Sequence, residues 1–215
     1  MPIFRSGKGA APAWCEMESF ELLDLRQDER RTLQREGRNE HFIVCRGSAD
    51  FDPGGIQGVR CSLGVGGKLE LVGPAVKSVT LVGGWGGAQV FRAVGRWGSI
   101  TSSGIFAVRK AKPPANDTPY SYVKTTGFDN HYHDCDEYWV VLEGKWQVAS
   151  EGKMYEVGPG DCVATGMGWH HDVVSIEGDG PYRGIWFEGT LEGRKRVGHL
   201  WEPQHGKAVA MKDRV

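Results

Sequence analysis

The sequence predicts an all-β protein, and three observations carry that prediction. Its apolar runs are short and rich in Val, Ile and aromatic residues, the composition of strands. Its 32 glycines are spread along all 215 residues, so they read as tight turns between strands and not as one flexible linker. Strong helical periodicity is absent throughout.

In chain order, strands are expected at Phe42–Cys45, Val59–Leu63, Val79–Val82 and Val90–Val94, then at Tyr138–Leu142, Trp146–Ala149, Met154–Val157, Val173–Ile176 and Arg183–Phe187. Glu29 to Arg35 reads as a helical turn. Ser150-Glu151-Gly152-Lys153 and Glu177-Gly178-Asp179-Gly180 supply turns between the later strands. The polar, proline-bearing stretch Lys110 to Pro119 has the composition of a connector. Residues 1–17 are expected to form an N-terminal arm, and 191–215 a tail in which His199 and His205 are surface residues.

Composition excludes several function classes. The 26 basic and 27 acidic residues nearly balance, and no basic stripe suited to phosphates appears, so nucleic acid is not an expected partner. No apolar stretch approaches the ~18 residues that cross a bilayer, and Met1 to Ala13 lacks the apolar run of a signal peptide. Five cysteines in no zinc-type spacing fit reduced thiols and a cytoplasmic protein. The expected partner is a small-molecule ligand, with neither membrane nor nucleic acid, and a homodimer is compatible with the chain. Gly64-Val65-Gly66-Gly67-Lys68 lacks the Ser/Thr and the following helix of a phosphate loop, so it reads as a β-turn.

The most informative stretch runs from Gly127 to Gly144: Gly127-Phe128-Asp129-Asn130-His131-Tyr132-His133-Asp134-Cys135-Asp136-Glu137, with Gly144 beyond. In an extended strand alternate side chains share a face. His131, His133 and Glu137 would then point together, with Cys135 and Trp139 beside them. Three ligands converging from one strand are what a metal site needs, with a fourth from elsewhere. Downstream, Gly158-Pro159-Gly160-Asp161 is turn chemistry, a short apolar strand follows, and Gly166-Met167-Gly168-Trp169-His170-His171 makes a second turn into the next strand.

The spacing Gly-x3-His-x-His-x3-Glu-x6-Gly resembles the first signature of the cupins, and Gly160-x5-Gly166-x-Gly168-x2-His171 resembles their second, with Gly166 where the family usually has proline. The resemblance implies a small jelly-roll barrel in which His131, His133, Glu137 and His171 hold one divalent ion. Register assigns His171 as the ligand and turns its neighbour His170 away. Cys135 is read as a core thiol, the alternative being a thiolate lining the substrate site; Trp139 is core or pocket wall.

The first half repeats the second. Glu40 to Gly47 has the form of Glu137 to Gly144 at an offset of 97, and Gly64 to Lys77 matches Gly158 to His171 at an offset of 94. The whole chain therefore resembles two tandem cupin-type jelly-roll β-barrels: a lobe over 18–108, a linker over 109–119 and a metal-binding lobe over 120–190. Carried back, the ligand positions become Gln34, Glu36, Glu40 and Lys77. Lys77 is then expected inside the first barrel, its ammonium paired with Glu36 or Glu40 in place of a metal; the alternative is an anion pocket.

Three imidazoles and one carboxylate suit Mn, Fe, Ni, Co or Zn, and the donor list does not choose among them. Such an ion acts as a Lewis acid. The resemblance implies, first, an isomerase or lyase moving protons on a small polar metabolite, a sugar derivative or hydroxy/keto acid. Second comes an iron dioxygenase of a chelating enol or catechol-like substrate, and third a non-catalytic sugar- or ligand-binding cupin.

Overall fold

The computed structural model describes residues 3–6, 11–54, 60–98, 102–190 and 198–215. Fourteen strands and one short helix make up the elements assigned among them, and the architecture is an all-β jelly roll. The chain divides into two units. A C-terminal unit comprises Gly98–Val215 with Met1–Arg5 and Pro12–Cys15, and an N-terminal unit comprises Glu16–Trp97 with Ser6–Ala11.

In the C-terminal unit, β1 (Ile3–Arg5), β12 (Asp161–Thr165), β9 (Glu137–Glu143), β14 (Arg183–Glu188) and β8 (Ser102–Ala107) form one sheet in that spatial order. A second sheet holds β11 (Lys153–Val157), β10 (Lys145–Ser150) and β13 (His171–Glu177). All neighbours are antiparallel. Alternate residues of each strand meet in one core that includes Trp139, Val141, Trp146, Val148, Val163 and Val173, which is how a jelly roll buries its inner faces.

The N-terminal unit builds its layers from two strands long enough to serve both. β4 (Asn39–Gly54) and β7 (Ser78–Gly95) run side by side. Bulges between Val44 and Arg46 and between Gly47 and Ala49 bend the pair. Before the bend, β4 pairs β6 (Lys68–Val72) and β7 pairs β2 (Met17–Leu25); beyond it, β4 pairs β5 (Cys61–Gly64) and β7 pairs β3 (Arg30–Gln34). Gly47 sits at φ 68 with room for no side chain, since a Cβ would come within 2.0 Å of the Gly87 carbonyl oxygen.

Four assignments differ from the sequence reading. Arg30–Gln34 is a strand and not a helical turn, because it completes the β7 ladder from Arg30↔Val82 to Gln34↔Ser78. Ser102–Ala107 pairs with β14 and so belongs with the C-terminal unit, moving the boundary from 108 to Trp97/Gly98. The connector 109–119 is likewise tied into that unit, through a Lys110–Thr126 bridge and an Asp117–Lys124 ion pair of 3.1 Å. Of the supposed arm, Ile3–Arg5 is the edge strand against β12. Val59, at the start of one expected strand, lies outside the described residues.

The two central ladders carry the offsets read from the sequence. Glu40 pairs Leu71 and Val94, and Glu137 pairs Thr165 and Glu188. The displacement is 97 for the middle strand (137 − 40) and 94 for each flank (165 − 71 and 188 − 94). It then slips. His131 bridges His171 while Gln34 pairs Ser78, so the middle offset stays at 97 (131 − 34) but the partner offset falls to 93 (171 − 78). A one-residue slip reverses which face a side chain takes. Lys77 is therefore exposed, Val76 turns into the core and Gln34 and Glu36 are exposed; the expected Lys77 pair does not form.

The buried cation is Arg92. Its guanidinium lies 3.0 Å from Glu40 through Nε and again through Nη2, 3.2 Å from Glu36 and 2.7 Å from Glu21, and it donates to the Gln34 carbonyl. Arg35 Nε adds a contact of 3.3 Å to the same fully buried Glu40 carboxylate. Planar, multi-donor guanidinium chemistry satisfies more carboxylate oxygens than an ammonium could.

Two predictions follow from these buried charges. Arg92→Met strands Glu40 beside Arg35 alone and is expected to cost about 3 kcal/mol, whereas Lys77→Ala should stay within about 0.5 kcal/mol; chemical denaturation of both variants checks the contrast. His41 is 3 % exposed, and burial, helped by the Lys68 charge, lowers its pKa from 6.5 to about 4. The neutral imidazole's contribution is complete above about pH 6.5 and is lost as pH falls through about 4. Unfolding free energy should drop by on the order of 3 kcal/mol over that window relative to His41→Gln.

Candidate metal centre

The four expected ligands do converge, though by a different route from one continuous strand. His131 forms a bridge with His171, their amides and carbonyls exchanging bonds of 2.9 and 3.3 Å. The chain then bends at Asp134 and Cys135, and regular strand begins at Glu137. The strict alternation expected from 131 to 139 is thus broken, and the ligands come from both sheets. Cys135 is buried but does not line the cavity beside the cluster, whereas Trp139 does.

His131, His133, Glu137 and His171 are all buried, and each offers an atom within 4.8 Å of the others. Nε2 of His171, His133 and His131 lies 2.8, 3.4 and 4.0 Å from Glu137 Oε2. The tautomers are set from behind: His131 Nδ1 lies 2.9 Å from the Asp129 carbonyl and His171 Nδ1 lies 3.0 Å from the Trp169 carbonyl. Each Nδ1–H donates there, so each Nε2 presents a lone pair. Burial and the neighbouring imidazoles hold His131 well below its usual pKa. Burial would raise Glu137, but the charge and hydrogen bonds of His133 and His171, when those rings are protonated, outweigh it and keep the carboxyl well below its usual range; a bound cation would take their place. Neutral imidazole and ionised carboxylate are the forms a divalent ion needs, and the three Nε2 atoms and Glu137 Oε2 have no hydrogen-bond partner among the described residues.

The turn that aims His171 is held in several ways. Asp136 accepts from the Met167 amide at 2.8 Å and pairs with Arg214, and Gly168 donates to the His133 carbonyl at 2.8 Å. The C-terminal segment closes over it: Met211 N donates to Met167 O at 3.1 Å and Trp169 Nε1 donates to Met211 O at 2.9 Å. This packing accounts for Gly166 in place of proline, since even a Cβ there would meet Arg214 backbone and side chain at 2.6 and 2.4 Å.

Residues past 197 contribute directly, which the sequence reading missed. His199 is partly exposed, yet it packs on the cluster: its ring stacks on His131 with centroids 3.7 Å apart, nearly parallel, and its Nδ1 lies 2.8 Å from Asp129 Oδ2. Trp201 Nε1 donates to the same carboxylate oxygen at 2.7 Å. Burial opposes a charge on His199, but the Asp129 bond prevails and raises its pKa. Glu188 was also missed; it is buried, pairs with Glu137 in the β9–β14 ladder and comes within 3.8 Å of His133 Nε2. No spacing rule flags either residue, although the Glu188 side of the ladder follows once β14 is placed. His170 turns away as register required, toward Glu202 at 3.5 Å and the Tyr132 ring.

Beside the cluster lies a cavity of about 290 Å³ lined by Ser102, Phe106, Phe128, Glu137, Trp139, Trp186, Glu188 and His199. Outside it, Lys124 is buried between Asp172 at 2.7 Å and Asp117 at 3.1 Å. Burial pushes Asp172 up to about 6 despite that ammonium. Asp117 Oδ1 in turn accepts from the Asn130 amide, so the pair braces the strands that carry His131 and His171.

Comparison with known proteins places a domain match over this part of the chain. A cupin domain model matches residues 121–188, a span that contains all four cluster residues. Over that span the chain is similar to the cupin domain family. The uncharacterized protein y4oW of Sinorhizobium fredii (strain NBRC 101917 / NGR234) is 42 % identical over 217 residues, covering 100 % of this chain and 97 % of that protein. Among solved structures, Bacillus subtilis oxalate decarboxylase, described by its Mn(II) centers, is 12 % identical with a TM-score of 0.54, over 82 % of this chain and 70 % of that one. AerE from Microcystis aeruginosa is 13 % identical with a TM-score of 0.53, over 79 % and 86 %. At such identities the structures share the cupin fold alone.

Gly168 gives this geometry a direct test. It has φ 77, and a Cβ would come within 2.1 Å of the Val209 carbonyl oxygen. Gly168→Ala is expected to destabilise the protein by more than about 1 kcal/mol. In amide exchange it should loosen 166–171 and 209–214 together, whereas Gly152→Ala, with nothing near its Cβ, should leave both segments protected.

Proposed function

We propose that the C-terminal unit holds one divalent metal ion through His131, His133, Glu137 and His171 and acts on a small chelating metabolite by metal-assisted proton transfer. One observation carries the reading: three buried Nε2 atoms and the Glu137 carboxylate lie within 4.8 Å of one another, and two of the imidazoles turn lone pairs inward. Unpaired buried acceptors are costly, and a cation is the simplest partner for all four at once. The bound ion would supply Lewis acidity to an oxygen pair of the ligand. Mn, Fe, Ni, Co and Zn all suit the donor set.

The chain's own residues supply the rest. Asp129 and Trp169 carbonyls fix two imidazoles in the ligating tautomer. Phe106, Phe128, Trp139 and Trp186 wall the cavity against water. Glu188, on that wall beside His133, is the carboxylate placed to exchange a hydrogen bond with the ligand. An iron dioxygenase is the second reading, favoured by those same aromatic walls, which suit a ring-bearing substrate. We further infer that the N-terminal unit is a second cupin barrel whose ligand positions Gln34, Glu36 and Glu40 have passed to an arginine-centred ion-pair network; the matching ladder offsets support it.

Metal analysis of the purified protein tests the main reading. About one divalent ion per chain is expected, and His133→Ala or Glu137→Gln should lower affinity by at least about tenfold. A folded protein that takes up none of the five metals would overturn it. Oxygen uptake during turnover decides between dioxygenase and proton-transfer chemistry.

A further inference from the structure

The geometry points to His199, anchored by Asp129, as a positioning residue: its ring holds His131 in the ligating orientation and thereby sets how fast the metal ion leaves. This inference rests on the metal-binding reading above.

A ligating imidazole can turn about its side-chain bonds, and its lone pair stays on the ion only while packing and hydrogen bonds stop those rotations. The Nδ1 bond to the Asp129 carbonyl restrains His131 within its own plane but leaves the ring free to tip out of it. Phe128, Trp139 and His171 approach that ring at centroid distances of 5.8, 6.3 and 4.3 Å and at angles of 41°, 46° and 68°. None of these three lies flat on it. His199 does, at 3.7 Å and 5°, and it also meets the His133 ring at 5.3 Å and 86°. One side chain therefore bears on two of the cluster imidazoles. The His131 side chain is wholly buried, whereas that of His199 is 39 % exposed. His199 is thus the outer cover of a ligand's face.

His199 is itself fixed. Its Nδ1 donates to Asp129 Oδ2 at 2.8 Å, and Trp201 Nε1 donates to the same oxygen at 2.7 Å. That oxygen also lies 3.5 Å from His131 Nδ1, so one carboxylate ties the ligand, its cover and the C-terminal segment together. The backbone completes the arrangement. Leu200 and Tyr132 exchange both amide–carbonyl bonds at 3.0 Å as an antiparallel bridge, which sets 199–201 against 131–133, the stretch that carries two ligands. A second ion held by Asp129, His131 and His199 fits this geometry less well. Imidazole lone pairs lie in the ring plane, and those of two rings only 5° from parallel run side by side instead of converging.

The full-length protein loaded with cobalt(II) tests this: its visible bands report ligand geometry, and their loss in excess EDTA reports release of the ion. His199→Ala is expected to shift the bands and to speed release by at least about tenfold, with about one ion still bound per chain before EDTA is added. His199→Phe, which keeps a flat ring over His131, should release the ion within about threefold of the wild-type rate. Should His199→Ala not fold, His199→Leu serves in its place with the same expectation. An Ala variant with the wild-type bands, or with the wild-type release rate, overturns the inference. So does a Phe variant that releases the ion as fast as the Ala variant, because the covering ring would then not be what acts. Two ions per wild-type chain, one of them lost in His199→Ala, overturn it in favour of a second site. A folded wild-type protein that takes up no cobalt overturns the inference, and one that also refuses the other four metals overturns the metal reading with it.

Discussion

Everything around the candidate centre serves one electrostatic constraint: three imidazoles and a carboxylate are buried facing one another. His131 and His171 spend their Nδ1 protons on the carbonyls behind them, so their Nε2 lone pairs face Glu137 Oε2 across 4.0 and 2.8 Å. Lone pairs and a carboxylate in a low-dielectric interior repel. The fold holds this arrangement from several directions: the 131–171 bridge, the Asp136 anchor of the 166–168 turn and the Lys124 pair with Asp117 and Asp172. Preorganisation of that kind costs stability unless a cation completes it.

The N-terminal unit meets a related constraint from within its own sequence. Glu40, fully buried like Glu137, stands at the same ladder position between its flanking strands. Where the C-terminal ladder has Trp186 opposite Trp139, the N-terminal one has Arg92 opposite Phe42. That single difference places a guanidinium against the glutamate and replaces a cavity wall with an ion-pair network. A protein-borne cation cannot leave and offers no open coordination position, so the N-terminal unit satisfies its buried glutamate internally.

The sequence carried the fold and most of the centre. Strand length and turn residues are local properties, and the two-part signature fixed all four cluster residues because their spacing survives even though the alternation that suggested it does not. What escaped was set by tertiary register. Lys77 was placed by a constant offset, and a slip of one residue at Ser78 sent it to solvent. Arg92 lies in an ordinary apolar strand, and nothing local announces that its charge will be buried. Arg30–Gln34 has helix-tolerant residues and becomes strand only because β7 offers an unpaired edge. His199 and Trp201 lie beyond any motif, in a stretch whose composition resembles an unstructured tail.

That last omission has a functional side. The segments with cupin-like spacing, Gly127 to Gly144 and Gly160 to His171, contain the whole acceptor cluster. The cavity beside it draws Ser102 and Phe106 from β8, Trp186 and Glu188 from β14, and His199 from the C-terminal segment. The cluster therefore lies wholly within those segments, whereas the cavity draws more than half of its lining from outside them. The same C-terminal segment also clamps the turn that aims His171, through Met211 and Arg214. A change in this segment can alter ligand choice and ligating geometry together, so the four-residue signature alone identifies the kind of centre but not the molecule it accepts.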